Sequence, residues 1–405
     1  MDLNAGRPAR QYQWSVGFQR EIFQNLAVDL TYVGNRGVWW QAPVLINWNA
    51  NTPERLTSFG LDINNAADRG LLLSRMDSPA VVTRGFKVPY PGFPAGQLLA
   101  QALRPFPQFQ GVPTAFNMYP VAIPVYWNPM GATWYDALQV KATERLSHGL
   151  TLLSTFSWSK SLSLGSEVGE PNPGSFGNAQ YNNVFDRNSN KYISAYDQPF
   201  FFNLSLTYAI PSVSTNKILG AVLGGWTYGA FAQYASGMPL QVPNAQSALD
   251  SYLFQGPSFA NRVPGQPLFT VDLNCHCYDP NRTFVLNPNA WVDPEPGKFG
   301  NSPAYYSDYR KQRRPAENMN ISRTFRIREG MTFNVRMELY NVFNRSYWYD
   351  PTLTALTNFK QLQTRLPNGI TSAGFGRVLA TAGTLFGNTA NLAPRQGLLV
   401  ARVTF

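Results

Sequence analysis

The sequence predicts an all-β chain: an antiparallel portion of a transmembrane β-barrel, laid out as an open, curved sheet of about nine strands with long extracellular loops. Three observations carry this expectation. Segments of about ten residues alternate apolar and polar side chains, the two-residue period of a strand with unlike faces. Short turns and very long connections follow one another in strict alternation along the chain. Aromatic residues make up 14% of the chain, as many as all charged residues together.

Taken in order, the first strand covers Gln11–Glu21, with Tyr12, Trp14, Val16 and Phe18 on one face and Gln11, Gln13, Ser15 and Gln19 on the other. A tight turn at Phe23-Gln24-Asn25 leads into a strand where Leu26, Val28, Leu30 and Tyr32 oppose Ala27, Asp29 and Thr31. A segment rich in Pro, Asn and Gly then runs from about Gly34 to Gly131, with short helices expected near Leu61–Arg75 and Gln97–Leu103. Trp134–Arg145 alternates Leu138, Val140 and Ala142 against Gln139, Lys141 and Thr143. The turn LSHG joins it to a strand with Leu150, Leu152, Phe156 and Trp158 on one face.

After a second long segment, FFFNLSLTYAI sets Phe202, Leu204, Leu206 and Tyr208 against Asn203, Ser205 and Thr207. GWTYGAFAQYASG follows a moderate turn, and a third long segment runs to about Pro315. The next hairpin turns at Arg328-Glu329-Gly330, with Phe333, Val335, Met337 and Leu339 opposite Asn334, Arg336 and Glu338. A fourth long segment precedes LLVARVTF, where Leu399, Ala401, Val403 and Phe405 share one side. Lipid on the apolar faces and a wet lumen on the polar ones account for this pattern. Trp14, Trp134, Trp158, Tyr208, Trp226 and Tyr228 lie near strand ends, where interfacial aromatic girdles sit.

Composition narrows the function classes. No stretch approaches the roughly 18 consecutive apolar residues of a spanning helix. MDLNAGRPARQYQW lacks the basic start and apolar core of a signal peptide, so export would call on a segment outside this chain. The net charge of +10 is spread along the chain, which argues against nucleic acid; the one dense run is Arg310-Lys311-Gln312-Arg313-Arg314. Arg310, Lys311, Arg313 and Arg314 are the candidate contacts for lipopolysaccharide phosphates, with plain solvation as the alternative. Tyr305, Tyr306 and Tyr309 are candidates for gripping a ligand, with loop packing as the alternative.

Cys275 and Cys277 stand in NCHCYDP with the other histidine, His148, far away, so a loop disulfide or free thiols is expected rather than a metal site. Asp186-Arg187-Asn188-Ser189-Asn190 begins like a calcium loop, but Lys191 stands where Gly is needed and no Glu closes it. Glu167, Glu170, Asp293 and Glu295 have no spacing that pairs them for acid–base work. No Gly-rich phosphate loop, nucleophile elbow or zinc helix is present, so neither enzyme activity nor a cofactor is expected.

Several stretches resemble the barrel of TonB-dependent outer-membrane receptors of the Oar-like type, which carry a carboxypeptidase-regulatory-like domain at the N-terminus. They are Val88–Phe109 (VPYPGF…QALRPFPQF), Tyr135–Leu162, Gly224–Val242, Leu286–Ser302 (LNPNAW…PGKFGNS), Met337–Trp348 and the terminal strand. The resemblance implies a barrel of about 22 strands, an internal plug, and energy from the TonB complex in the inner membrane. It also implies that Phe405, with Val403 and Ala401 at alternate positions, is read by the barrel-assembly machinery, although Val403 stands where such signals often have an aromatic. Residues 1–405 are then the C-terminal part of the barrel, with plug, regulatory-like domain and signal peptide outside this chain.

The expected function is an outer-membrane receptor or transporter barrel that binds or admits a nutrient the sequence does not name. Its expected partners are outer-membrane lipid, lipopolysaccharide, the assembly machinery and TonB. The alternative is a secreted or surface β-rich protein that binds carbohydrate or matrix without transport.

Overall fold

The computed structural model describes residues 7–40, 49–109, 129–147, 149–165, 182–183, 185–211, 224–245, 252–253, 258–275, 277–345, 347–348, 350–351, 359–378 and 394–405. Nine long strands follow in chain order: β1 (Arg10–Phe23), β2 (Leu26–Trp40), β3 (Gly131–Ser147), β4 (Leu150–Leu164), β5 (Phe200–Ala209), β6 (Trp226–Ala235), β7 (Ala316–Arg328), β8 (Met331–Tyr340) and β9 (Gln396–Thr404). Each pairs antiparallel with the next, and the short strand Lys191–Ile193 extends the upper end of β4. Among the described residues nothing pairs β1 with β9, so the sheet is open with those two strands at its edges.

The register turns the alternating sequence into two continuous faces. One row reads Phe18, Leu30, Val140, Phe156, Phe202, Tyr234 across six strands. The row beside it, one residue away on every strand, reads Gln19, Asp29, Lys141, Thr155, Asn203, Gln233. Further along, Leu152, Leu206, Ala230, Met319 and Leu339 lie in register, while Thr151, Thr207, Gly229, Asn320 and Glu338 line the opposite side. A slip of one residue on any strand would exchange the faces, so the pattern itself fixes the pairing. The polar face is not uniform: Leu153 and Phe231 flank Ser205 on it.

Among the described residues little protein covers the apolar face. Val16 and Leu399 are each 73% exposed and Phe18 63%. A water-soluble sheet would bury such a face, whereas a bilayer covers it. Aromatics mark its limits, with Trp158 beside Phe200 towards one end and Tyr208 beside Tyr228 towards the other. From Phe200 to Tyr208 the strand covers about 27 Å, or about 20 Å once tilted, close to the lipid-facing band of such walls.

Three tight connections close one end of the sheet. Asn25 and Gly330 take positive φ (72° and 75°) after register shifts at Glu21/Phe23 and Arg326/Arg328, the geometry of a turn with an αL residue and a bulge. Gly149, at φ 82°, serves the β3–β4 turn. The long connections all leave from the opposite end.

Several strands outrun their expected limits. β2 continues to Trp40 rather than stopping near Gly34, and β3 begins at Gly131 rather than Trp134. Gly34 and Gly37 read as breakers in the sequence, yet they stay in the ladder because large neighbours need the space. The Trp14 indole lies across Gly34, where any side chain would collide with it. Arg36 stacks 3.7 Å from the Trp134 ring centroid.

The buried apolar cores lie in the long connections. Between β2 and β3, α1 (Pro53–Ser58), α2 (Ala66–Leu72), α3 (Pro79–Thr83) and α4 (Leu99–Ala102) pack Leu56, Leu72, Val81 and Leu99 with Leu253 from a distant loop. The helices expected near Leu61–Arg75 and Gln97–Leu103 are thus α2 and α4, both shorter than expected. The sequence reading missed α1 and α3, although Thr52 and Ser78, each followed by Pro, cap their first turns. A second core joins Leu240, Phe259, Leu286, Trp291, Tyr309 and Phe375.

Leu206→Arg should destabilise the folded protein in lipid vesicles by about 2 kcal/mol, and Thr207→Arg, on the polar face opposite Gly229, by well under half of that. Equal losses in a urea titration would overturn the assignment of faces.

Candidate functional site: the loop layer and its rim

Two buried ion pairs tie the long connections to the strand ends. Arg310 donates to Asp197 Oδ2 at 2.6 Å and to the Asp197 and Gly237 carbonyls, while Asp197 Oδ1 accepts the Ser161 amide of β4 at 2.7 Å. The Asp197 side chain is only 3% exposed. At the start of β7, the equally buried Glu317 accepts Arg345 Nε on both carboxylate oxygens at 3.0 Å. These hydrogen bonds to Glu317 hold the Arg345 guanidinium above the usual arginine range. Buried charges persist only when paired and bonded in this way.

The basic run Arg310–Arg314 is therefore largely committed to the protein itself. Lys311 and Arg314 both reach Asp350, at 3.4 and 2.9 Å. Arg313 differs. Its backbone amide donates to Asn274 Oδ1 at 2.9 Å, while its exposed guanidinium has no partner among the described residues.

Beside Arg313 a recess of about 490 Å³ opens at the rim of the sheet, lined by Phe200, Phe202, Tyr234, Tyr347, Arg345 and Asn274 among others. Phe200, Phe202 and Tyr234 belong to the apolar face, where Phe156 stacks on Phe200 and Phe202 meets Tyr234. Tyr347 donates its hydroxyl to the Pro315 carbonyl, and burial pushes its pKa up to about 12. Nothing in the sequence joins Phe200 to Arg345 or Tyr347, because the recess forms only when three connections converge.

Other sequence candidates have local roles. Tyr309 and Tyr305 are buried in the loop core, Tyr309 lying 5.4 Å from the Trp291 ring and Tyr305 5.8 Å from Tyr192. Arg262 sits over Tyr306 at 4.9 Å. Loop packing thus accounts for these tyrosines. Cys275 and Cys277 form a disulfide next to Asn274. Asp186 accepts the Asn188 amide at 3.0 Å in a local turn, and Asp293 pairs with Lys360. Glu167, Glu170 and His148 lie outside the described residues. Phe405 follows β9 and is 93% exposed, with Val403 and Ala401 paired to Phe333 and Val335 on the apolar face.

An open antiparallel sheet with one bare apolar face, aromatic limits, and long connections gathered at one end defines the wall of an outer-membrane β-barrel. The chain belongs to the outer membrane beta barrel domain family, whose model matches residues 1–395, and its place is the outer membrane. Among solved structures, the outer membrane transporter YddB from Escherichia coli aligns over 98% of this chain and 32% of its own length, at 11% identity and a TM-score of 0.37. The toluene transporter TodX of Pseudomonas putida aligns over 82% of this chain and 55% of its own, at 7% identity and a TM-score of 0.18. The chain thus spans about a third of the YddB structure. No curated protein is detectably similar in sequence.

Asp197→Ala should leave Arg310 buried without its partner and cost about 3 kcal/mol. Faster trypsin cleavage around Arg310–Arg314, with the β-sheet signal unchanged, is the expected readout. The loop around Tyr347 should also loosen in alkali. Burial favours the neutral hydroxyl, so its contribution is intact below the ordinary value of 10.0 and is lost as pH rises through about 12. Tyr347→Phe should lack that transition when loop proteolysis is followed between these pH values.

Proposed function

We propose that the chain forms wall and crown of an outer-membrane receptor of the TonB-dependent, Oar-like type, which binds or admits a nutrient through its loop layer. The observation that carries this reading is the placement of the long connections. They all leave one end of the sheet, are folded around cores of their own, and stand above a face of Asp29, Lys141, Asn203 and Gln233 suited to a wet lumen.

The stretches that resemble the family fall on distinct parts of the fold. Tyr135–Leu162 is the β3–β4 hairpin, Leu286–Ser302 supplies the loop core, and Met337–Trp348 joins β8 to Arg345 and Tyr347 at the rim. In this reading the TonB complex supplies energy, the assembly machinery reads Phe405 with Val403 and Ala401, and no chemistry is performed on the cargo.

In the native bacterium the protein should stay with the outer membrane through a carbonate wash and need detergent for release. Release by carbonate would instead favour a surface β-rich protein that binds carbohydrate or matrix. Growth on a nutrient panel that depends on this receptor should vanish when TonB is deleted; growth indifferent to TonB would point to a passive channel. Removing Phe405 should lower outer-membrane levels several-fold without weakening the folded protein, because that side chain makes almost no protein contact. Unchanged levels would remove the signal role.

A further inference from the structure

We propose that the rim recess binds one phosphorylated lipid of the outer leaflet, its chain against Phe200, Phe202, Tyr234 and Tyr347 and its phosphate on Arg313. The inference rests on the apolar face of the sheet being the lipid-facing one. Phe202 and Tyr234 continue the row that begins at Phe18 and Leu30, and Phe200 continues the row of Val16 and Tyr32 on the same face, so the recess opens onto hydrocarbon on that side. Its other wall comes from Gln312, Arg313 and Pro315 and from Arg345 and Tyr347, where the chain leaves the bilayer.

Charge bookkeeping then selects the headgroup. Arg345 is neutralised by Glu317, and Lys311 and Arg314 share Asp350. Arg310 is spent on Asp197. Of the four candidate contacts in the basic run, only Arg313 keeps a guanidinium without a carboxylate partner among the described residues, and it is the one of the four that lines the recess. A single cation above an aromatic trough suits an amphiphile whose anion sits at the level of the interface. A phosphate offers the paired acceptors that a guanidinium fork engages. A volume of about 490 Å³ takes the upper part of an acyl chain rather than a whole lipid, so the remainder would lie along the apolar face.

The test uses the full-length receptor purified from its own outer membrane in a mild detergent and exchanged into phosphatidylcholine vesicles doped with lipid A. Native mass spectrometry after extraction should find one lipid A retained per protein. Arg313→Gln should lower retention at least tenfold, Arg313→Lys should restore part of it, and Arg314→Gln should leave it unchanged. Phe202→Ala should reduce retention with Arg313 intact. Equal loss in Arg314→Gln and Arg313→Gln would overturn the proposal in favour of diffuse charge. So would retention of lipid A by Arg313→Gln at the wild-type level, or its displacement by inorganic phosphate at millimolar concentration. Equal retention of uncharged diacylglycerol would likewise reject the phosphate contact. The lipid-facing assignment is judged separately: brominated acyl chains in the same vesicles should quench tryptophan emission from the apolar face whether or not the recess is filled. Absence of that quenching would fault the orientation of the sheet rather than the recess alone.

Discussion

Hydrocarbon offers nothing for a backbone amide or carbonyl to bond, and every other feature of this chain follows from that constraint. A strand exposed to it must exchange its backbone hydrogen bonds with neighbours, which is why nine strands form one ladder. The same medium dictates the side chains. Val16, Phe18 and Leu399 are bare because no protein atom is needed to cover them. The polar row one residue away meets water, so a single alternation serves two solvents.

Beyond the bilayer the rule reverses. The long connections stand in water and must bury their own apolar residues, which they do around Leu56 and Leu99 in one core and around Phe259 and Tyr309 in another. The two regimes meet at the rim, and two deeply buried carboxylates sit there. Asp197 and Glu317 hold Arg310 and Arg345 where strand gives way to loop. At that boundary a well-bonded ion pair fixes a loop in place without the large apolar contact that either side would otherwise supply.

The strands were legible in the sequence because their signal is local: Leu206 and Thr207 are neighbours, and their opposite polarity already assigns them to opposite faces. What the period could not show was where a strand ends. Gly34 and Gly37 carry the usual marks of a break, and only the packing of Trp14, Trp40 and Thr133 against them explains why β2 runs on. The rim lay further out of reach. Asp197 and Arg310 are 113 residues apart, and Asp350 is separated from Arg314 by 36, so which basic residues are already paired depends on the fold rather than on their spacing. The sequence singled out the basic run but could not separate Arg313 from its neighbours. Tyr309 shows the same limit, since an aromatic in a loop reads alike whether it faces a ligand or a core.

The pairing of α1–α4 with Tyr252 and Leu253 has a consequence for how such a crown can change. Asn51 donates its backbone amide to the Leu253 carbonyl and its side-chain amide to the Ala100 carbonyl, so two connections separated by much of the chain share one interior. Neither can be transplanted alone. A graft that moved residues 49–109 onto another wall would leave Leu56, Leu72 and Leu99 facing a gap where Leu253 had been, and would strip the donor of its partner as well. Variation in the crown is thus coupled between these two connections, and a chimera would have to carry both as one cassette. The wall below, whose contacts are strand to strand, could remain that of the recipient.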